Sequence, residues 1–118
     1  MYADPQSVTV NAVAKSLVRV GSSQPDRLGK FITADGEFYL DFRQDKTTNR
    51  FRREVRLTQK KVASDPISSL NKEISSSVMI VVDEPQWGFS DTELGYLTSA
   101  IVAWFTAGNR DKLLGGEL

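Results

Sequence analysis

Residues 51–61 read FRREVRLTQKK. With a period of two, this run sets Arg52, Arg56, Thr58 and Lys60, with the preceding Arg50, on one side of a strand. Phe51, Val55 and Leu57 fall on the other side, because successive strand side chains point to opposite faces of their sheet. One face can therefore pack on a core while the other is a row of cations. The preceding strand, expected over 37–43, repeats the pattern: Phe38, Leu40 and Phe42 share one face, Tyr39, Asp41 and Arg43 the other. A cationic sheet face suits a phosphate backbone, and Tyr39 adds a flat ring on which a base can stack. The competing readings are a solvated face that blocks edge-to-edge aggregation and a tyrosine that packs or hydrogen-bonds.

A length of 118 residues, 40% hydrophobic and 25% charged, describes one small globular domain. At this size folding buries only about two thirds of the chain's surface, so an association partner adds appreciable stability. The formal net charge is zero, but residues 41–61 carry eight Lys/Arg against three Asp/Glu, whereas residues 83–118 carry two against six. One basic and one acidic surface are expected. Cysteine and histidine are both absent, which removes disulfides, thiolate chemistry, the usual general base and the usual soft metal ligand. Catalysis, a metal, a cofactor and a small-molecule substrate are therefore not expected. No run approaches the roughly 18 apolar residues of a membrane span, and MYADPQ at the N-terminus does not resemble a signal peptide. The expectation is a soluble, cytosolically made protein.

Around the central strands, 7–20 (SVTVNAVAKSLVRV) reads as a hairpin joined at Asn11-Ala12, where alanine in place of glycine carries backbone strain. A loop is expected over 21–25, a short strand over 30–33, a turn at Ala34-Asp35-Gly36, and loops over 44–49 and 63–71. The last strand spans 73–83, with Ile74, Val78, Ile80 and Val82 inward and Ser75, Ser77 and Met79 on the polar face. Ser90 then caps a helix, with Glu93 completing a capping box and Phe89 and Leu94 forming a hydrophobic staple. Leu94, Leu97, Ile101, Trp104 and Phe105 recur on one helical stripe, a core or dimer interface. Trp87 is expected to pack under the strand-to-helix connection. Gly108 is expected to end the helix, and a short second helix over 110–114 to stop at Gly115-Gly116.

Strands first and helices last make an α+β chain built on antiparallel pairing. A helix of about 17 residues is roughly 25 Å long and 10 Å wide, while five strands span about 24 Å. One helix cannot cover that sheet, and a symmetric dimer that lays a second helix across it solves the problem.

The order and spacing of TVNAVAKSLVRV, EFYL at 37–40, NRFRREVRLTQK, VMIVVDEP, SDTELGYLTSAIVAWF and KLLGG resemble the coat proteins of small single-stranded RNA bacteriophages, the leviviruses, over nearly the whole chain. The resemblance implies an N-terminal hairpin (1–21), a five-stranded antiparallel sheet (28–84) and two helices (90–115). Together these form one coat-protein domain. It implies that the helices interlock with those of a second copy, giving a homodimer with a ten-stranded sheet, and that dimers build an icosahedral shell, a virion assembled in the cytoplasm of a bacterial host. The inward sheet face in that family binds genomic RNA, including a hairpin at the replicase start whose binding represses translation.

Carried onto this chain, the RNA-facing residues are Tyr39, Arg43, Arg50, Arg52, Arg56 and Thr58, with Lys60, Ser75 and Ser77. The dimer interface is Leu94, Leu97, Ile101, Trp104 and Phe105. The loop of Ser64, Asp65, Pro66, Ile67, Ser68, Ser69 and Leu70 matches the one that clusters around the shell's axes. Some members cross-link that loop with cysteines; here packing and hydrogen bonds must suffice. Glu54 interrupts the cationic row and weakens it unless paired with Arg52 or Arg56. Contacts to four to six phosphates would give log affinity a slope of roughly −3 to −4 against log salt. Two other classes compete: a standalone dimeric single-stranded nucleic-acid-binding module that builds no shell, and a small hydrolase working through Asp41 and Glu54.

Overall fold

Asn11 and Ala12 both hold left-handed backbone, φ 50° and 62°, the conformation that a two-residue turn needs to follow the twist of the strands it joins. It links β1 (Gln6–Val10) to β2 (Val13–Ser23), whose register runs from Gln6 opposite Leu17 to Val10 opposite Val13. Ala12 has no short polar side chain to ease that conformation. Ala12→Gly is expected to raise stability by about 0.5–1 kcal/mol, after the entropy that glycine adds to the unfolded chain. Urea unfolding of the two proteins side by side measures this difference.

The computed structural model describes residues 2–23 and 28–117, and the chain divides into two compact units, Met1–Glu84 and Pro85–Leu118. In the first, β1 and β2 are followed by β3 (Leu28–Ile32), β4 (Phe38–Lys46), β5 (Arg50–Ser64) and β6 (Asn71–Pro85). These strands form one sheet in the order β1-β2-β3-β4-β5-β6. The hairpin is not separate from the expected five-stranded sheet. Val13 to Leu17 of β2 pair with β1 and Val18 to Ser23 pair with β3, with an irregularity between Arg19 and Gly21 inside the second pairing.

Several strands outrun their expected limits. Gly21 to Ser23 belong to β2, where a loop over 21–25 was expected; Gln24 and Pro25 lie outside the described residues. Likewise β4 continues through Gln44, Asp45 and Lys46, which pair with Arg53, Arg52 and Phe51. Polar composition reads as loop, yet the backbone ladder satisfies the same groups whatever the side chain. The β4–β5 turn shrinks to 47–49, closed by Thr47 N–H donating to the Arg50 carbonyl at 2.8 Å.

Leu17, Phe31 and Phe38 are buried, with Val8, Val10, Leu40 and Phe42 packed against them. Phe38, Leu40 and Phe42 share this face, as their alternation predicts. Phe31 meets Phe42 edge-on at 5.8 Å, and Tyr2 stacks on the same Phe42 at 4.0 Å. The N-terminal segment is held there by Arg19, whose N–H donates to Asp4 Oδ1 at 3.0 Å and whose guanidinium donates to the Tyr2 carbonyl at 2.8 Å. The same guanidinium lies 4.7 Å from the Phe31 ring centroid.

In the second unit, α1 (Asp91–Trp104) starts at Ser90, whose hydroxyl accepts from Glu93 N–H at 3.2 Å. It ends earlier than expected. Phe105 leaves helical geometry (ψ 63°), and Thr106 caps α2 (Ala107–Leu114) by accepting from Asn109 N–H. Gly108 therefore lies inside α2 and does not terminate α1. A threonine hydroxyl that satisfies an otherwise orphaned N–H stabilises a new helix start there, and Asn109 Nδ2 donating to the Trp104 carbonyl at 2.6 Å fixes the corner.

Candidate nucleic-acid interface

The β4–β5 register brings the polar side chains of the two strands together. Tyr39 lies opposite Thr58, Asp41 opposite Arg56, Arg43 opposite Glu54 and Asp45 opposite Arg52. On β3, Lys30 lies opposite Asp41. The odd-numbered side chains of β6 reach the same face: Arg56 Nη2 lies 3.8 Å from Met79 Sδ, Lys60 Nζ 3.9 Å from Glu73 and Arg50 Nε 2.8 Å from Asp83 Oδ1. Ser75 and Ser77 belong to this odd-numbered set and are exposed. All nine residues expected on the RNA side thus share one face.

That face is not the row of free cations suggested by the charge count. On β3–β6 it carries Lys30, Arg43, Arg50, Arg52, Arg56 and Lys60, interleaved with Asp41, Asp45, Glu54, Glu73 and Asp83. Arg43 also contacts Asp45 on its own strand at 3.1 Å. Glu54 lies across from Arg43 on β4, a neighbour that the sequence reading, which weighed only Arg52 and Arg56 on the same strand as Glu54, did not consider. Opposite charges placed across a sheet stabilise it by roughly 0.2–1 kcal/mol a pair. The two carboxylates considered for hydrolysis, Asp41 and Glu54, each face an arginine. The Nε–H of Arg56 is buried without a hydrogen-bond acceptor.

Two cations gather at Tyr39. The ammonium of Lys30 lies 4.8 Å from its ring centroid and that of Lys60 lies 4.7 Å away. The Tyr39 phenol, foremost, and the Glu73 carboxylate hold the Lys60 ammonium above its ordinary range. Lys30 was not among the expected site residues. Its strand was assigned from sequence, but only the pairing of Lys30 with Asp41 and of Ile32 with Tyr39 shows that the lysine reaches this ring. On the opposite face, also unanticipated, Arg53 pairs with the buried carboxylate of Glu84 and lies 5.4 Å from the Phe51 ring.

The apolar stripe runs along α1 from Leu94 to Trp104, with Phe105 just past the helix end, and most of it is exposed. Leu97 is 61% exposed, Ile101 and Trp104 56% each and Phe105 43%, while Leu94 is half-buried. Trp87, expected beneath the connection, is 85% exposed instead, and the backbone turns beside it at Gly88 with φ 101°. Among the described residues no acidic cluster is arranged to hold a metal ion, and no helix is long and apolar enough to cross a membrane.

The loop between β5 and β6 is shorter and more ordered than its composition suggests. Ser64 closes β5, and the Asp65 carboxylate accepts from the N–H groups of Ile67 (2.8 Å) and Ser68 (3.4 Å) and from Lys72 Nζ (2.9 Å). The Asp65 N–H donates to the Leu70 carbonyl, and Ser69, at φ 58°, donates to the Asp65 carbonyl, both at 2.8 Å. Pro66 and Ser68 sit in this frame, while Ile67 is 95% and Leu70 65% exposed at the tip. The Ile67 N–H, then Lys72, hold the Asp65 carboxyl below its ordinary value of 3.8. Because that value is depressed on folding, the stabilisation is present above about pH 4 and is lost as pH falls through the lower folded value. Amide exchange at Ile67 and Ser68, corrected for intrinsic rate, is expected to quicken once the pH has fallen through the folded value; protection that survives to the acid limit of the fold would remove Asp65 as the loop's anchor.

No protein-family model matches the chain, and no curated protein matches it significantly. Solved structures do. A virus-like particle of bacteriophage AVE019 covers 98% of this chain and 97% of its own at TM-score 0.79 and 15% identity. The chain has the levi-like phage capsid fold. A virus-like particle of Beihai levi-like virus 21 matches 100% of this chain and 98% of its own (TM-score 0.74, 10% identity). The capsid protein of bacteriophage GA matches 96% and 95% (TM-score 0.60, 8% identity). The likeness in fold extends across sheet and helices alike.

Proposed function

We propose that this chain is the coat protein of a small RNA bacteriophage, a structural protein and not an enzyme. The observation that carries this reading is the end-to-end match to phage capsid structures, with nearly all of both chains covered. In this reading sheet and helices act as one coat-protein domain with a second copy. Leu97, Ile101, Trp104 and Phe105, exposed here, and the half-buried Leu94 pack against the partner. β6 supports the same arrangement, since it is a 15-residue edge strand with Ile74, Val78, Ile80 and Val81 exposed, and a long apolar edge invites pairing. Two copies joined there make the continuous sheet of a homodimer, and residues 64–70 meet other dimers at the axes of an icosahedral shell.

Genomic RNA lies against the polar sheet face, with Tyr39, Arg43, Arg50, Arg52, Arg56, Thr58, Lys60, Ser75 and Ser77 turned toward it. An RNA hairpin bound there represses replicase translation, and the virion assembles in the cytoplasm of a bacterial host. The test is expression of the chain alone, followed by negative-stain electron microscopy and the ratio of absorbance at 260 and 280 nm. Round, uniform shells with a nucleic-acid spectrum support both parts. Empty shells would keep the capsid role and remove the RNA face, and a soluble dimer that binds RNA would favour the standalone binding module.

A further inference from the structure

We propose that Trp87 of each copy inserts into a notch beside β5 of the other, so that two indoles lock the pair. The proposal rests on the pairing of two copies along β6. Trp87 is 85% exposed, more than any other aromatic side chain among the described residues. Tryptophan is enriched at the energetic centres of protein interfaces, because its large ring fills a pocket and its N–H takes a partner when buried.

A recess of suitable chemistry lies on the sheet. β5 pairs with β4 as far as Gln59 and then runs on to Ser64. Beside this overhang, the turn that precedes β4 leaves a notch of about 380 Å³, at the low end of the roughly 300–1,000 Å³ in which proteins hold small ring compounds. Gly36 and Val62 give it uncharged surface, and nothing stands within 4 Å of where a Gly36 side chain would begin. Lys60 and Lys61 border it, and lysine stems pack on apolar surface while their ammonium groups stay in water. Glu37 and Glu73 bring acceptors: Glu37 accepts from Gln59 Nε2 at 3.1 Å, and Glu73 lies 3.9 Å from Lys60 Nζ. Each carboxylate has lone pairs left for an indole N–H.

Pairing along β6 brings indole and notch together. When two antiparallel copies of Asn71–Pro85 pair along their whole length around a two-fold axis, Pro85 lies beside the partner's Asn71. Glu73, at the notch, is two residues from that end of β6, and β5 is the next strand inward, about 10 Å from the pairing copy. Trp87 follows Pro85 by two residues, at most about 7 Å of chain, and its ring extends further. Gly88, at φ 101°, turns the chain immediately after it. A two-fold interface repeats every contact, so each pair of copies fills two notches.

The test follows the fluorescence of Trp87, taken as the difference between the parent and Trp87→Phe at concentrations where both associate, while sedimentation reports the assembly state of the same samples. Association should sharply lower acrylamide quenching of this signal. Val62→Arg blocks the notch at a position 69% exposed in the single chain, and should restore the quenching. Trp87→Ala and Val62→Arg should each raise the concentration of half-association about tenfold or more, and the double variant no further than the stronger single, because both remove one contact. Copies that associate while Trp87 stays fully quenched, or whose shielding Val62→Arg leaves unchanged, would overturn the proposal and leave pairing along β6 intact. A parent that sediments as a single chain at every concentration would remove that pairing, and the proposal with it. Circular dichroism of each variant shows that the fold is shared.

Discussion

Replacing Trp104 with alanine is expected to cost about 3–5 kcal/mol, the range for deleting a large aromatic from a packed interior, and to convert an assembled species to a smaller one. The expectation depends on a second copy. In the single chain the indole is 56% exposed, beside the Phe105 ring at 6.5 Å, and truncating a half-exposed side chain that nothing covers costs on the order of 1 kcal/mol or less. The two situations therefore differ by several kcal/mol. Urea midpoints at one fixed concentration, with sedimentation of parent and variant, separate them. A midpoint shift below about 1 kcal/mol, with sedimentation unchanged, would mean that the stripe faces solvent.

The second large effect is expected at Arg53. Glu84 is 7% exposed and its carboxylate is paired with this guanidinium across β5 and β6. Arg53→Ala strands a buried charge, which in fully buried pairs costs about 3–5 kcal/mol. Here the arginine side chain is 46% exposed, so water screens part of the interaction and about 2 kcal/mol is the expected loss. Glu84→Gln should cost less, because the neutral amide is cheaper to bury. A double-mutant cycle isolates the pair, and a coupling energy near zero would show that Arg53 matters only through its packing on Phe51.

Periodicity revealed most of this fold because it reports burial, which is what alternation encodes. The facing of Phe38, Leu40 and Phe42, the turn at Asn11-Ala12 and the cap at Ser90 all follow from residue types whose physical preferences act locally. The missed features depend on partners distant in sequence. Gln44, Asp45 and Lys46 look like loop until β5 is placed beside them. Thr106 was available as a cap signal, three residues before Asn109, but the apolar stripe continuing through Phe105 masked it. In the candidate site, the cationic composition of 41–61 was legible, and its neutralisation was not: only the register sets Asp41 against Arg56 and Glu54 against Arg43. The packing of Trp87 was read from its place beside Pro85 and Gly88 in the strand-to-helix connection, and neighbours in sequence do not supply a covering surface.

Leu17, Phe31 and Phe38 are the only apolar side chains fully enclosed among the described residues of the chain. So small an interior makes the folded state a collective property in the coat-protein reading, in which the missing cover comes from other copies. By mass action, the midpoint of thermal unfolding then climbs with protein concentration. Newly made chains are at their most vulnerable to proteolysis while few copies exist, and gain protection as synthesis proceeds. In such a system the timing of expression, and not sequence alone, decides how much of the protein survives.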